Sequence, residues 1–132
     1  MPNAHISLLE LDLTSFESIK RAAHTFNQTS SKLDVLFNNA GIMATPPGQT
    51  REGYELQFGT NHVGHALLTK LLLPKLKETA FKPGSDVRII NLSSSAHHWA
   101  PKEGYLLDQV KTDMKATSTW ARYGQSKLAN IH

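Results

Sequence analysis

The chain has 132 residues, 39% of them hydrophobic and 19% charged, which suits one small globular domain. Fourteen basic side chains against eleven acidic ones leave a formal charge of +3, too small an excess to argue for nucleic acid or a membrane surface. Cysteine is absent, which excludes disulfides and thiolate metal sites and fits a reducing compartment.

Residues 6–11 read as a short strand, and 12–15 as a polar break rich in helix N-caps. Phe16, Ile19, Ala22, Ala23 and Phe26 recur at helical spacing and predict an amphipathic helix over 16–30. Residues 33–38 predict a second strand, whose apolar run suggests burial on both faces, as in parallel sheets. Asn38-Asn39-Ala40-Gly41 closes that strand, and 42–50, with Pro46-Pro47-Gly48, read as loop.

A long helix is expected over 51–80, with Leu56, Val63, Leu67, Leu68, Leu71 and Leu72 as its apolar stripe. Gly59 and Gly64 each cost roughly 1 kcal/mol against alanine inside a helix, so close approach by another backbone is the expected compensation. Pro74 should kink or end the regular part. After a turn at 82–85, residues 87–92 predict a third strand, ending in Ser93-Ser94-Ser95. A loop of about two dozen residues follows, long enough to suggest a functional loop. The last helix begins near 118–120. Alternating strands and helices argue for an α/β layered sheet.

That last helix carries Tyr123 and Lys127, four residues apart and so on one helix face. An ammonium beside a phenol favours the phenolate, which suits a tyrosine to general acid–base work near neutral pH. Alone, Tyr-x-x-x-Lys is a weak signal. Its weight comes from the two strand ends upstream, because ligands of open α/β sheets bind beyond the carboxyl ends of strands.

Four blocks stand in order: Leu33-Asp34-Val35-Leu36-Phe37-Asn38-Asn39-Ala40-Gly41, Asn61-His62-Val63-Gly64-His65, Arg88-Ile89-Ile90-Asn91-Leu92-Ser93-Ser94-Ser95-Ala96-His97 and Tyr123-Gly124-Gln125-Ser126-Lys127-Leu128-Ala129-Asn130. Together they closely resemble the short-chain dehydrogenase/reductase family, and within it the retinol-dehydrogenase-like and WW-domain-oxidoreductase-like branch. The resemblance implies a partial Rossmann-type, doubly wound parallel sheet, its strands matching the family's third, fourth and fifth. It implies an NAD(P)-dependent oxidoreductase that moves hydride between a nicotinamide cofactor and a lipophilic alcohol or carbonyl substrate. NADP is slightly favoured over NAD.

The resemblance also implies roles. Tyr123 would exchange the proton at the substrate oxygen, and Lys127 would lower its pKa and hold the nicotinamide ribose. Ser94 would polarise the carbonyl, and Asn61 would hold a proton-relay water. Asn38, Asn39, Ala40 and Gly41 would line the cofactor, with Asp12 and Leu13 at its adenine end. Plainer readings stand beside these. Asp12 suits a helix cap, Asn38 a structural turn, Asn61 a surface amide and 93–95 a strand-ending loop.

The sequence departs from the family at one decisive point. No Gly-x-x-x-Gly-x-Gly turn is present to hold a pyrophosphate, and the strand that reads the ribose 2′ position has no counterpart. The family's strand order, 3-2-1-4-5-6-7, would leave residues 6–11 without neighbours and 33–38 with a bare edge. The expectation is an incomplete family member, with Met1 an internal start and full activity in a longer chain. The alternative is a non-catalytic remnant that binds or dimerises through the helix at 51–80.

His62 with His65, and His97 with His98, have no third ligand at a recognised spacing, so no metal site is expected. Trp99 and Trp120 are expected to pack the long loop. Residues 1–5 lack a signal-peptide pattern, and the most apolar run, 66–76, is too short to span a bilayer. Cytoplasmic location is the default expectation, a preceding segment being free to carry an anchor. A small-molecule substrate is the expected partner, with a homodimer as a further option and no nucleic acid.

Overall fold

A computed structural model describes residues 5–132. Two strands, β1 (Val35–Asn38) and β2 (Arg88–Asn91), pair in parallel with Val35 opposite Arg88 and Asn38 opposite Asn91. Four helical segments surround them: α1 (Phe16–Thr29), α2 (Leu56–Phe58), α3 (Gly64–Ala80) and α4 (Thr119–Ala129). A five-residue π-turn, Gly59–Val63, joins α2 to α3, and a 3₁₀ turn, Ser95–Trp99, follows β2. This is a two-stranded piece of a Rossmann-type layer with its crossover helices.

α1 forms where the periodicity placed it. Ser15 caps it by accepting from the Ser18 N–H, and Ser30 ends it. Its apolar face packs on α3, where Ile19 and Ala23 meet Leu13, Leu36, Leu68, Leu72 and Leu76 in the main core. Leu67, Leu68, Leu71 and Leu72 of the expected stripe are therefore core packing against α1 and β1, while Val63 packs on a separate core. A second core gathers Phe58, Val110, Met114 and Ala129 beneath the long loop.

Three expectations are corrected. Residues 6–11 form no strand. A strand needs a ladder partner, and none of the described residues pairs with this stretch, where Ile6 and Leu8 are 85% and 99% exposed. β1 is buried on one face only. Leu36 and Asn38 turn inward, while Val35 and Phe37 face outward, with Phe37 63% exposed because α1 and α3 cover only one side. The long helix starts at Leu56 instead of 51. Residues before it make a tight turn, with Thr50 N–H donating to the Tyr54 carbonyl and Glu55 capping α2 through the Phe58 N–H.

Pro74 sits inside α3 without ending it, and the helix runs on to Ala80. Of the two costly glycines, Gly64 has the expected close backbone approach, while Gly59 is met by side chains instead. A Cβ on Gly64 would stand 2.7 Å from the Leu13 carbonyl oxygen, and one on Gly59 would collide with the Thr50 side chain at 2.4 Å. Trp99 and Trp120 pack edge-to-face at 5.5 Å, each about half exposed.

Candidate functional site

The site lies where the carboxyl ends of β1 and β2 meet the inner face of α4. α4 starts at its Ser118 cap, and beyond its first residues it is largely buried: Arg122, Tyr123, Gly124, Gln125, Ser126, Lys127 and Ala129. So polar a helix can be buried only if its groups find partners, and they do. Gly124 lets it approach closely. A Cβ there would stand 2.6 Å from the Ala100 nitrogen and 2.8 Å from the Ala96 carbonyl, so the 3₁₀ turn after the serine cluster rests directly on α4. Ser93 Oγ adds a 2.7 Å bond to the Lys127 carbonyl.

Lys127 is 6% exposed. Its Nζ donates to the Leu92 carbonyl at 3.1 Å and stands 5.7 Å from the centre of the Tyr123 ring. Burial holds its pKa below the ordinary lysine value, because an ammonium loses hydration there. The Tyr123 hydroxyl is not among the buried side-chain atoms left without a partner.

Asn61 is fully buried in the π-turn. Its side chain accepts from the Ile42 N–H at 2.9 Å and donates to the Ile42 carbonyl at 2.9 Å and to Ser126 Oγ at 3.0 Å. It thereby clips the loop after β1 to α4. Its backbone carbonyl accepts from His65 Nδ1 at 2.9 Å and from Asn130 Nδ2 at 3.0 Å. The Asn130 amide also reaches the Leu92 carbonyl at 3.1 Å, and its own oxygen accepts from His62 Nδ1 at 3.1 Å. A Cβ on Gly41 would fall 3.0 Å from Asn61 Oδ1 and 3.6 Å from Lys127 Nζ. Gly41, Asn61, Tyr123 and Lys127 thus come together.

The other candidates sit differently. Asn39 and Ala40 are exposed at the strand end. Asn38 points inward, donating to Thr69 Oγ1 at 2.9 Å and Asn91 Oδ1 at 2.8 Å, which ties β1 to β2 and α3. Ser94 caps the 3₁₀ turn through the Ala96 N–H. Asp12 holds the turn before α1 by accepting from Thr14 N and Oγ1, and these bonds keep its carboxyl below the usual range. Leu13 is core. Among the described residues no three His, Asp or Glu side chains gather as a metal site.

Reading the sequence missed Glu55, Arg122 and Asn130. Glu55 and Arg122 form a buried ion pair at 2.9 Å. No local pattern joins residues 67 positions apart. Gly124 left a signal, being as costly in a helix as Gly59 and Gly64.

The short chain dehydrogenase family matches residues 2–105. The chain belongs to that family. It is 46% identical over 130 residues to the short-chain dehydrogenase TIC 32 A, chloroplastic, of Brassica napus, covering 98% of this chain and 40% of that protein. It is 44% identical to human retinol dehydrogenase 13, covering 98% and 37%. Among solved structures it resembles the NADPH-bound carbonyl reductase from chicken fatty liver, at 31% identity and a TM-score of 0.64, over 93% of this chain and 47% of that one. This short-chain dehydrogenase chain spans about two-fifths of the length of the curated relatives it matches. Among its described residues no helix is long and apolar enough to cross a membrane.

Proposed function

We propose that these residues are the proton-handling part of an NAD(P)-dependent oxidoreductase acting on an alcohol or carbonyl group. The observation that carries this reading is the convergence of Tyr123 and Lys127 with Asn61 and Gly41 on one buried face of α4. The bare Gly41 fits a cofactor there, because a side chain would close the space between Asn61 and Lys127. The nicotinamide, when bound, supplies or accepts the hydride.

The protein's own residues manage the proton. Tyr123 gives or takes it at the substrate oxygen. Lys127, already anchored on Leu92, offers its remaining N–H groups to the ribose and stands 5.7 Å from the centre of the Tyr123 ring. Ser94, freed from its local cap, polarises the carbonyl. Asn61 holds the loop after β1 in register with α4, and Asn39, Ala40 and Gly41 form the exposed floor. Asn38 supports that floor, while Asp12 and Leu13 lie toward the adenine end. These 132 residues include no Gly-x-x-x-Gly-x-Gly turn to hold the pyrophosphate.

NADP is favoured, given the NADPH-bound carbonyl reductase among the structural relatives. The similarity to retinol dehydrogenase 13 supports a lipophilic substrate. The second reading, a non-catalytic module that pairs with a partner, is favoured by a β1 that pairs, among the described residues, with β2 alone, and by the exposed Phe37.

Thermal unfolding with saturating NADPH or NADH tests the first reading. At 100 times its dissociation constant a ligand adds about 2.7 kcal/mol. An upward shift with one nucleotide supports cofactor binding and names the cofactor. No shift, together with concentration-dependent association in light scattering, favours the second reading.

A further inference from the structure

Arg122 precedes the candidate acid–base tyrosine and is 2% exposed, and Glu55 is 0% exposed. The guanidinium spends all of its reach on three partners. Nη1 donates to Glu55 Oε1 at 2.9 Å, Nη2 to the Thr45 carbonyl at 3.0 Å and Nε to the Thr117 carbonyl at 3.3 Å. Glu55 Oε2 accepts from the Phe58 N–H at 2.7 Å, at the head of the helix that leads to Asn61. A parallel set of bonds runs alongside. Gln57 Nε2 donates to the Thr119 carbonyl at 3.1 Å, Thr119 Oγ1 donates to the Thr45 carbonyl at 2.9 Å, and Gln57 Oε1 accepts from the Ala44 N–H at 2.9 Å.

Through Arg122 and Thr119 these bonds tie the first turn of α4 to α2 and to the loop at Thr45. A buried ion pair is often no more stabilising than an apolar pair of the same volume, so stability alone is a poor reason for one here. Direction is a better reason. A planar guanidinium with three acceptors fixes an orientation that a greasy contact leaves free. The far end of α4 is fixed separately, by Ser126 on Asn61 and Lys127 on Leu92. Two anchors define a helix's rotation and depth, and one does not.

We propose that Arg122 and Glu55 are positioning residues whose ion pair sets the rotation and depth of α4 against α2, and so places Tyr123 and Lys127 relative to Asn61 and Gly41. Neither touches substrate or cofactor. The inference rests on the reading of α4 as the acid–base helix, and the test separates the two.

The test compares the chain with the double variant Glu55→Gln/Arg122→Met, which removes one charge of each sign, and with Arg122→Lys. Three readouts are taken: unfolding, NADPH fluorescence, and the titration of Lys127 by ¹³Cε NMR, assigned with Lys127→Met. Tyr123 on α4 and His65 on α3 are the titratable groups facing Lys127, and both are kept. The expected result is a cooperatively folded double variant in which Lys127 titrates closer to ordinary lysine, because water reaches it as α4 loosens. NADPH should bind about tenfold more weakly. Arg122→Lys should show the same shift, since a single ammonium cannot serve three fixed acceptors.

A folded double variant with unchanged Lys127 titration and unchanged NADPH binding overturns the proposal. If NADPH fails to bind even the unsubstituted chain, the functional reading fails for this chain while the Lys127 signal still decides the positioning role. If the double variant does not fold, Arg122→Lys decides by the same signal.

Discussion

The side-chain amide of Asn61 donates to the hydroxyl of Ser126 at 3.0 Å, across 65 residues of sequence. That bond joins the π-turn to α4, and the two further bonds of the same amide to Ile42 bring in the loop after β1. Asn61→Ala should therefore strand a buried N–H and a buried carbonyl together. A loss of about 2–6 kcal/mol is expected, at roughly 1–3 kcal/mol per unsatisfied group, read as a lower urea midpoint.

Gly124→Ala should destabilise despite alanine's better helix propensity. Its Cβ would meet backbone atoms at 2.6–2.8 Å, and backbone cannot swing aside. Overpacking of about 1–3 kcal/mol should outweigh a propensity gain of about 1 kcal/mol. Gly48→Ala is the control, because its nearest neighbour is a Leu56 methyl at 3.4 Å. Equal melting temperatures for the two variants would contradict the close approach of the 3₁₀ turn to α4.

Stability should fall as pH drops below about 6.5 in a way that depends on His65. Burial, aided by the Lys127 charge, holds His65 below its ordinary 6.5, against the opposing pull of the Asn61 carbonyl. Between the folded and unfolded values the unfolded chain binds more protons, so stability rises with pH across that window and is lost on acidification. His65→Gln should flatten this part of the profile. An unchanged slope in urea unfolding at pH 5 and pH 7 would exclude the assignment.

Tyr123→Phe should leave folding stability within about 0.5 kcal/mol, since the hydroxyl is not a buried atom awaiting a partner. The same substitution should abolish proton transfer wherever this helix works in a complete enzyme. A large loss of stability would assign the hydroxyl to the fold instead.

Phe37→Thr should reduce self-association without lowering stability. Phe37 is 63% exposed on a strand that pairs, among the described residues, with β2 alone, and threonine keeps strand propensity. Light scattering across a concentration series would read the difference, and identical scattering would direct attention to other exposed apolar residues such as Leu107 and Ile131.

What the sequence made legible was local. The five apolar positions of α1 and the caps at Ser15 and Ser118 act within a turn or two, so α1 and the start of α4 could be read directly. The pairing of residues 6–11 could not, since a strand exists only when a partner arrives, and hydrophobic alternation says nothing about that. The outward turn of Phe37 depends in the same way on what covers it. Tyr123 and Lys127 stood out by their spacing and Asn61 by the family resemblance alone, and their roles remain a proposal. Arg122, Glu55 and the π-turn were not legible, because charge burial and helix phase are properties of the assembled layers.

The π-turn has a consequence for how this chain tolerates changes in length. α2 sends Phe58 into one core and α3 sends Leu68, Leu72 and Leu76 into another, and the π-turn between them carries Asn61. Removing one residue from 59–63 would restore an α-helical ladder, and because a π-turn absorbs a single extra residue the leucines of α3 would keep their face. The cost would fall on Asn61, whose amide and carbonyl hold Ile42, Ser126 and Asn130 from within the turn. For this helix a local repair of the backbone would be felt at the site before it was felt in the core.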